Sequence, residues 1–254
     1  MTPDPFSQVG KTCSQPAKTY RFSDSAAFTK KIYHPFSVIL CLLVVYILVG
    51  QLLHRYVFPE PVPNDTMYPV SGDVITNPFA GEQIIFLKSG IETSGAYSLR
   101  EFHLKPGGAV PSAHIHSDYH ETFKVIQGKL TLICNGSEHV LGPGDSMTIP
   151  RGTAHQPVNK GSVELVTINK VSPAARHDLM LAQTHGFFTE KAQARSKIEF
   201  FLQAMLFVDY YKTYRADIPI RAQKILSFIL APTARLLGYR TWKPQYSKKW
   251  KKPI

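Results

Sequence analysis

Residues 108–128 read GAVPSAHIHSDYHETFKVIQG, and residues 144–159 read GDSMTIPRGTAHQPVN. His114 and His116 are separated by a single residue. On a strand, side chains at i and i+2 share a face, so both imidazoles can converge on one point. Ser117 and Asp118 offer a turn, and Glu121 opens the next apolar run, from which its carboxylate can return beside the histidines. His155 follows the turn-forming Pro150-Arg151-Gly152. Three neutral imidazoles and one carboxylate suit a divalent first-row metal: Mn, Fe, Ni, Cu or Zn. Four protein ligands on an octahedral ion leave positions open, as a reactive metal requires. His120 neighbours Glu121, so strand alternation sends it to the opposite face. The facing of His103 is open at this level; pointing inward, it would serve as a proton carrier.

The surroundings read as strands. Runs rich in β-branched and aromatic residues occupy 83–87, 97–104, 123–126, 130–134, 146–149 and 163–168, with Gly, Pro and Asn turn signals between them. Asn135-Gly136 sits between two runs as a tight hairpin turn. Short strands at this spacing suggest a sandwich or a small barrel.

The two quoted stretches resemble the motifs of the cupin family. Residues 108–128 match G-x5-H-x-H-x4-E-x6-G, and residues 144–159 match G-x5-P-x-G-x2-H-x3-N, at every defined position. The resemblance implies a mainly β fold, a single antiparallel jelly-roll barrel of the compact, single-domain kind. It implies His114, His116, Glu121 and His155 as ligands of one divalent ion, with iron or manganese placed first and nickel, copper or zinc as alternatives. The chemistry it implies is oxygenation of a small organic substrate, with Glu121 passing from ligand to catalytic base. A non-catalytic module that binds a small molecule or the metal is the alternative, and a scaffold that spaces the tail from the membrane is a third reading.

Outward from this centre, the stretch 36–53 reads FSVILCLLVVYILVGQLL, without a charge. Eighteen residues at ~1.5 Å rise reach roughly 27 Å, close to the hydrocarbon thickness of a bilayer. A long polar lead, and no small-x-small site behind it, favour an uncleaved transmembrane helix over a signal peptide. Lys18, Arg21, Lys30 and Lys31 precede the run and Arg55 alone closely follows it. The excess places the N-terminus in the cytoplasm and the β region on the extracytoplasmic side, as a single-pass protein.

The expected layout is a basic segment over 1–35, a transmembrane helix over 36–55, a Pro-rich linker over 56–77, the barrel over 78–172 and a basic helical tail over 173–254. The tail shows helical texture over 187–211 and 221–237, with Pro232 expected to kink or end the second helix. These helices either pack on the barrel or lie at the membrane surface, and the final YSKKWKKPI favours surface contact.

The whole chain has 254 residues, 44% hydrophobic and 19% charged, which excludes wholesale disorder. Its 3 cysteines form no CxxC pair, which excludes a disulfide scaffold and a cysteine-based zinc module. The net charge of +11 resolves into +4 for residues 1–55, −2 for 56–176 and +9 for 177–254. The basic excess therefore belongs to the flanks. The expected partners are a membrane and a small molecule, with no nucleic acid given that topology, and a homodimer fits the edges that open sheets expose.

Overall fold

The computed structural model describes residues 11–12, 33–174, 176–190 and 196–247. Lys18, Arg21, Lys30 and Lys31, which set the expected orientation, and the final basic run from Lys248 onward lie outside the described residues.

The helix α1 (Tyr33–Leu52) carries the apolar run. With the π-turn that follows it, the stretch Pro35–Val57 is 23 residues long with a mean hydropathy of 2.7, which by length and composition suffices to cross a membrane. Only 6% of its most apolar 18 residues are buried in the protein, so its apolar side chains face outward.

Two sheets follow. The larger contains β1 (Lys11–Thr12), β2 (Val74–Asn77), β3 (Glu82–Lys88), β4 (Ser98–Leu104), β6 (His120–Gln127), β9 (Ser146–Ile149) and β11 (Leu165–Ser172), in the order β1-β9-β6-β11-β4-β3-β2. The smaller contains β5 (His114–His116), β7 (Leu130–Cys134), β8 (Ser137–Leu141), β10 (His155–Val158) and β12 (Thr213–Arg215), in the order β12-β5-β10-β7-β8. Strand β1 runs parallel to β9; the other pairs are antiparallel. Strands β3, β4 and β11 alternate buried and half-buried positions, the period-2 signature of a sheet with one face on the core. The hairpin at Asn135-Gly136 has φ of 48° and 85°, the left-handed backbone that a two-residue turn requires.

The expectation of a mainly β, closed jelly-roll barrel is overturned. The described residues are 38% helical and 29% strand, and both sheets are open. The physical reason lies at the edges. An edge strand must be paired or covered. Here β2 is covered by the helix α2 (His177–Thr189), and β5 gains a partner from the C-terminal region in β12, so neither edge needs a strand from the other sheet.

Helix α2 joins the main core through Leu179, Met180, Leu181, Ala182 and Phe187, alongside Phe86, Phe102, Phe123 and Leu132 from the strands. The helical texture expected over 187–211 is interrupted. A new helix, α3 (Lys197–Tyr211), starts at a capping box in which Ser196 Oγ accepts from Glu199 N at 3.2 Å and Glu199 Oε2 accepts from Ser196 N at 2.6 Å. Helix α4 (Ile220–Leu236) runs through Pro232 rather than ending there. It packs on α1 at that proline: a Cβ at Gly50 would lie 2.6 Å from Pro232 Cβ. Gln51 Nε2 also donates to Phe228 O at 2.6 Å. The short helix α5 (Pro244–Ser247) closes on α2, where a Cβ at Gly186 would lie 2.5 Å from Tyr246 Cβ.

Candidate metal centre

The smaller sheet delivers the three histidines. His114 and His116 lie on β5, and the register of β10 sets His155 opposite His114. Gly152, at a φ of 81°, lets the preceding turn close tightly enough for its N–H to donate to His116 O at 2.6 Å. The larger sheet supplies Glu121 from β6. The ligating atoms of His114, His116, Glu121 and His155 all lie within 4.8 Å of one another. His155 Nε2 is 2.9 Å and His116 Nε2 3.6 Å from Glu121 Oε2.

The outer ring nitrogens are held by oxygen atoms. His114 Nδ1 is 3.0 Å from Ser112 O, and His155 Nδ1 is 3.0 Å from Thr153 O. A backbone carbonyl can only accept, so Nδ1 carries the proton in both rings and Nε2 turns to the centre. His116 Nδ1 lies 2.6 Å from Tyr119 Oη and 3.1 Å from Thr213 Oγ1. Burial holds His114 well below the ordinary imidazole range and His116 at about 3, so both rings are neutral. Burial alone would raise the Glu121 carboxyl, but the close approach of the His116 and His155 rings holds it well below the usual range. Asn169 Nδ2 donates to its Oε1 at 3.0 Å, and Arg100 Nη2 lies 3.6 Å from the same oxygen. Neutral imidazole lone pairs gathered around a carboxylate are the donor set of a divalent cation, and this buried cluster can coordinate one.

Behind Glu121 lies a buried network that the linear motifs do not contain. Arg100, 2% exposed, donates from Nη1 to His177 Nδ1 at 2.8 Å and pairs with Asp178 Oδ1 at 3.4 Å. Asp178 Oδ2 also accepts from Gly90 N at 2.7 Å. Burial and then the Arg100 guanidinium lower His177 to about 4. The one sequence signal for Arg100 was alternation, since it shares a strand face with Phe102 and Leu104. His177, Asp178 and Thr213 carried no such signal, because they come from the helical tail.

The other histidines fall elsewhere. His120 is exposed, as alternation required. His103 faces away from the buried side of β4 and sits 3.2 Å from Glu101 and 3.8 Å from Glu164, so it takes no part in the centre. A cavity of about 240 Å³ opens onto His114, His116 and Glu121, with Arg100 and His177 also in its wall.

Residues 100–169 match the family described as Cupin domain. This region is a cupin domain. Among curated proteins, the chain is 26% identical over 163 residues to an oxidoreductase of Arthrobotrys oligospora, covering 58% of this chain and 63% of that one. It is 45% identical over 49 residues to the quercetin 2,3-dioxygenase of Bacillus subtilis, covering 19% and 14%. The chain thus spans less than two thirds of the length of either relative. Among solved structures, a protein described as an oxalate decarboxylase from Thermotoga maritima shares 21% identity over 44% of this chain and 98% of that one, with a TM-score of 0.36. An RmlC-like cupin from Shewanella frigidimarina shares 18% identity over 47% and 96%, with a TM-score of 0.35. The cupin domain contributes β4 to β11, and the cavity wall is completed from outside it by β2, β3, α2 and β12.

Proposed function

We propose that His114, His116, Glu121 and His155 hold one divalent ion, iron or manganese, and that the protein is an oxygenase-type enzyme acting on a small organic substrate. The observation that carries this reading is the convergence of four ligating atoms within 4.8 Å, three on buried residues and one on the half-buried His114, with carbonyl oxygens orienting the rings of His114 and His155. The names of the two curated relatives, an oxidoreductase and a quercetin 2,3-dioxygenase, support oxidative chemistry over simple binding. A bound ion would supply Lewis acidity and open coordination positions for substrate oxygen atoms. The protein's own residues do the rest. Arg100 and Asn169 hold the Oε1 edge of Glu121, which leaves Oε2 turned towards the histidines as the oxygen that would take a substrate proton. The cavity walls of Ile84, Phe102, Phe123 and Leu181 exclude water around that proton.

The protein is further read as anchored by α1, with the N-terminus cytoplasmic and the cupin domain extracytoplasmic. The outward-facing apolar surface of α1 supports the anchor, and the lysines before it support the orientation. Metal analysis of the full chain, followed by oxygen uptake with catechols, flavonols and thiols, tests the chemistry. Stoichiometric iron or manganese with substrate-dependent uptake is expected; a metal-free protein would remove the reading. An alkaline phosphatase fused after residue 60 is expected to be active, and an inactive fusion would reverse the orientation.

A further inference from the structure

The metal-facing cavity shares part of its wall with a neighbouring one. Met180, Thr184, Phe188 and Thr213 also line a second cavity of about 160 Å³ between α2 and α3. The far walls of this second space are Phe187, Phe200, Ala204, Phe207 and Val208. Its hydroxyl-bearing lining residues are engaged elsewhere: Thr184 Oγ1 donates to Met180 O at 2.7 Å, Tyr211 Oη to Thr241 O at 2.8 Å, and Thr213 Oγ1 sits on His116. Each cavity alone is smaller than the ~300 Å³ at which small-molecule sites begin, and joined they pass it.

We infer that the second cavity takes the apolar tail of an amphiphilic ligand whose oxygen-bearing head sits at the metal cluster. The inference rests on the metal reading above and names the substrate class for that site. Two observations select an alkyl or prenyl tail over a compact polar substrate. The second cavity is mostly aromatic and aliphatic, its amide residue Gln203 donating from Nε2 to Arg240 O at 2.8 Å, while the charged groups stand at the metal end. The helix that walls it, α3, packs on α4, and α4 packs on the apolar helix α1. A bilayer around α1 is therefore two helices away from the cavity, and a bilayer is where such amphiphiles concentrate.

The test uses the full chain in nanodiscs, loaded with Mn²⁺ under anaerobic conditions. Binding of a 4-alkylcatechol series from methyl to hexyl is measured by equilibrium dialysis, with ligand held by empty nanodiscs subtracted. Affinity is expected to rise with each added methylene by up to about fourfold. An Ala204→Trp variant, which fills the second cavity, is expected to bind 4-methylcatechol as the parent does while losing the gain from longer tails. If the parent binds 4-methylcatechol but longer tails gain nothing, the tail site is wrong and the metal reading stands. If Ala204→Trp keeps the length dependence, the tail lies elsewhere and the inference falls. If no catechol binds to protein that holds its metal, the amphiphile inference falls and the metal reading stands; a protein that takes up no Mn²⁺ removes the metal reading.

Discussion

Thr213 Oγ1 lies 3.1 Å from His116 Nδ1, and the two residues face each other in register across β12 and β5. A residue 97 positions downstream, in what reads along the chain as a helical tail, thereby orients a candidate metal ligand. Replacing Thr213 by Val keeps the shape and removes the acceptor. Loss of such an orienting partner costs roughly 10–100-fold in metal affinity. Chelator competition on the Thr213→Val variant is expected to show a loss at the lower end of that range, because Tyr119 Oη remains beside the same nitrogen at 2.6 Å. An unchanged affinity would show that β12 only buttresses the sheet.

Arg100 stands between two buried carboxylates, Glu121 and Asp178. Removing it leaves both without their cation. Breaking a buried pair in this way costs roughly 3–5 kcal/mol. Arg100→Met is expected to lower the unfolding midpoint strongly, and adding Asp178→Asn is expected to recover part of the loss. Thermal denaturation of the single and double variants measures both effects.

His185 donates from Nδ1 to Leu181 O at 2.9 Å and from Nε2 to Glu82 Oε2 at 3.0 Å, which makes it an imidazolium. Burial works against that charge, but the Glu82 carboxylate overcomes it and His185 is raised above the ordinary 6.5. A raised folded-state value means the stabilisation is complete below the unfolded value and is lost as pH climbs through the folded one. The pair joins α2 to β3, so the docking of α2 is expected to weaken as pH rises above about 6.5. The stability gap between the parent and Glu82→Gln, followed by thermal unfolding from pH 6 to 9, is expected to narrow with rising pH. A constant gap would refute the charged pair.

Gly50 is the contact point of α1 and α4, where a Cβ would approach Pro232 Cβ to 2.6 Å. Gly50→Val is expected to push the helices apart and to release the hydrogen bond from Gln51 to Phe228 O. Hydrogen exchange over residues 220–236 is expected to speed up while exchange in the strands stays unchanged.

Glu121→Gln keeps the size of the side chain and removes the charge at the centre of the histidine cluster. The variant is expected to fold, since Asn169 and Arg100 still hold that region, and to lose stoichiometric metal. Elemental analysis after dialysis reads the result, and full retention of metal would remove Glu121 from the ligand set.

Much of the site was legible along the chain because its rules are local. Strand alternation sets His114 and His116 on one face, the turn at Asn135-Gly136 needs left-handed backbone, and a run of eighteen uncharged residues is long enough to span a bilayer by itself. The two cupin stretches named the four candidate ligands before any coordinates did. Tertiary structure alone decided that the sheets stay open and that Pro232 sits inside α4, whereas the start of α3 was written locally in Ser196 and Glu199. Tertiary structure also decided that Arg100, His177, Asp178 and Thr213 gather behind the cluster. Those outcomes depend on which edge is covered and which distant side chain fills the space beside a buried charge. No local period records that choice, because the free energy is gained only when elements far apart in the chain meet.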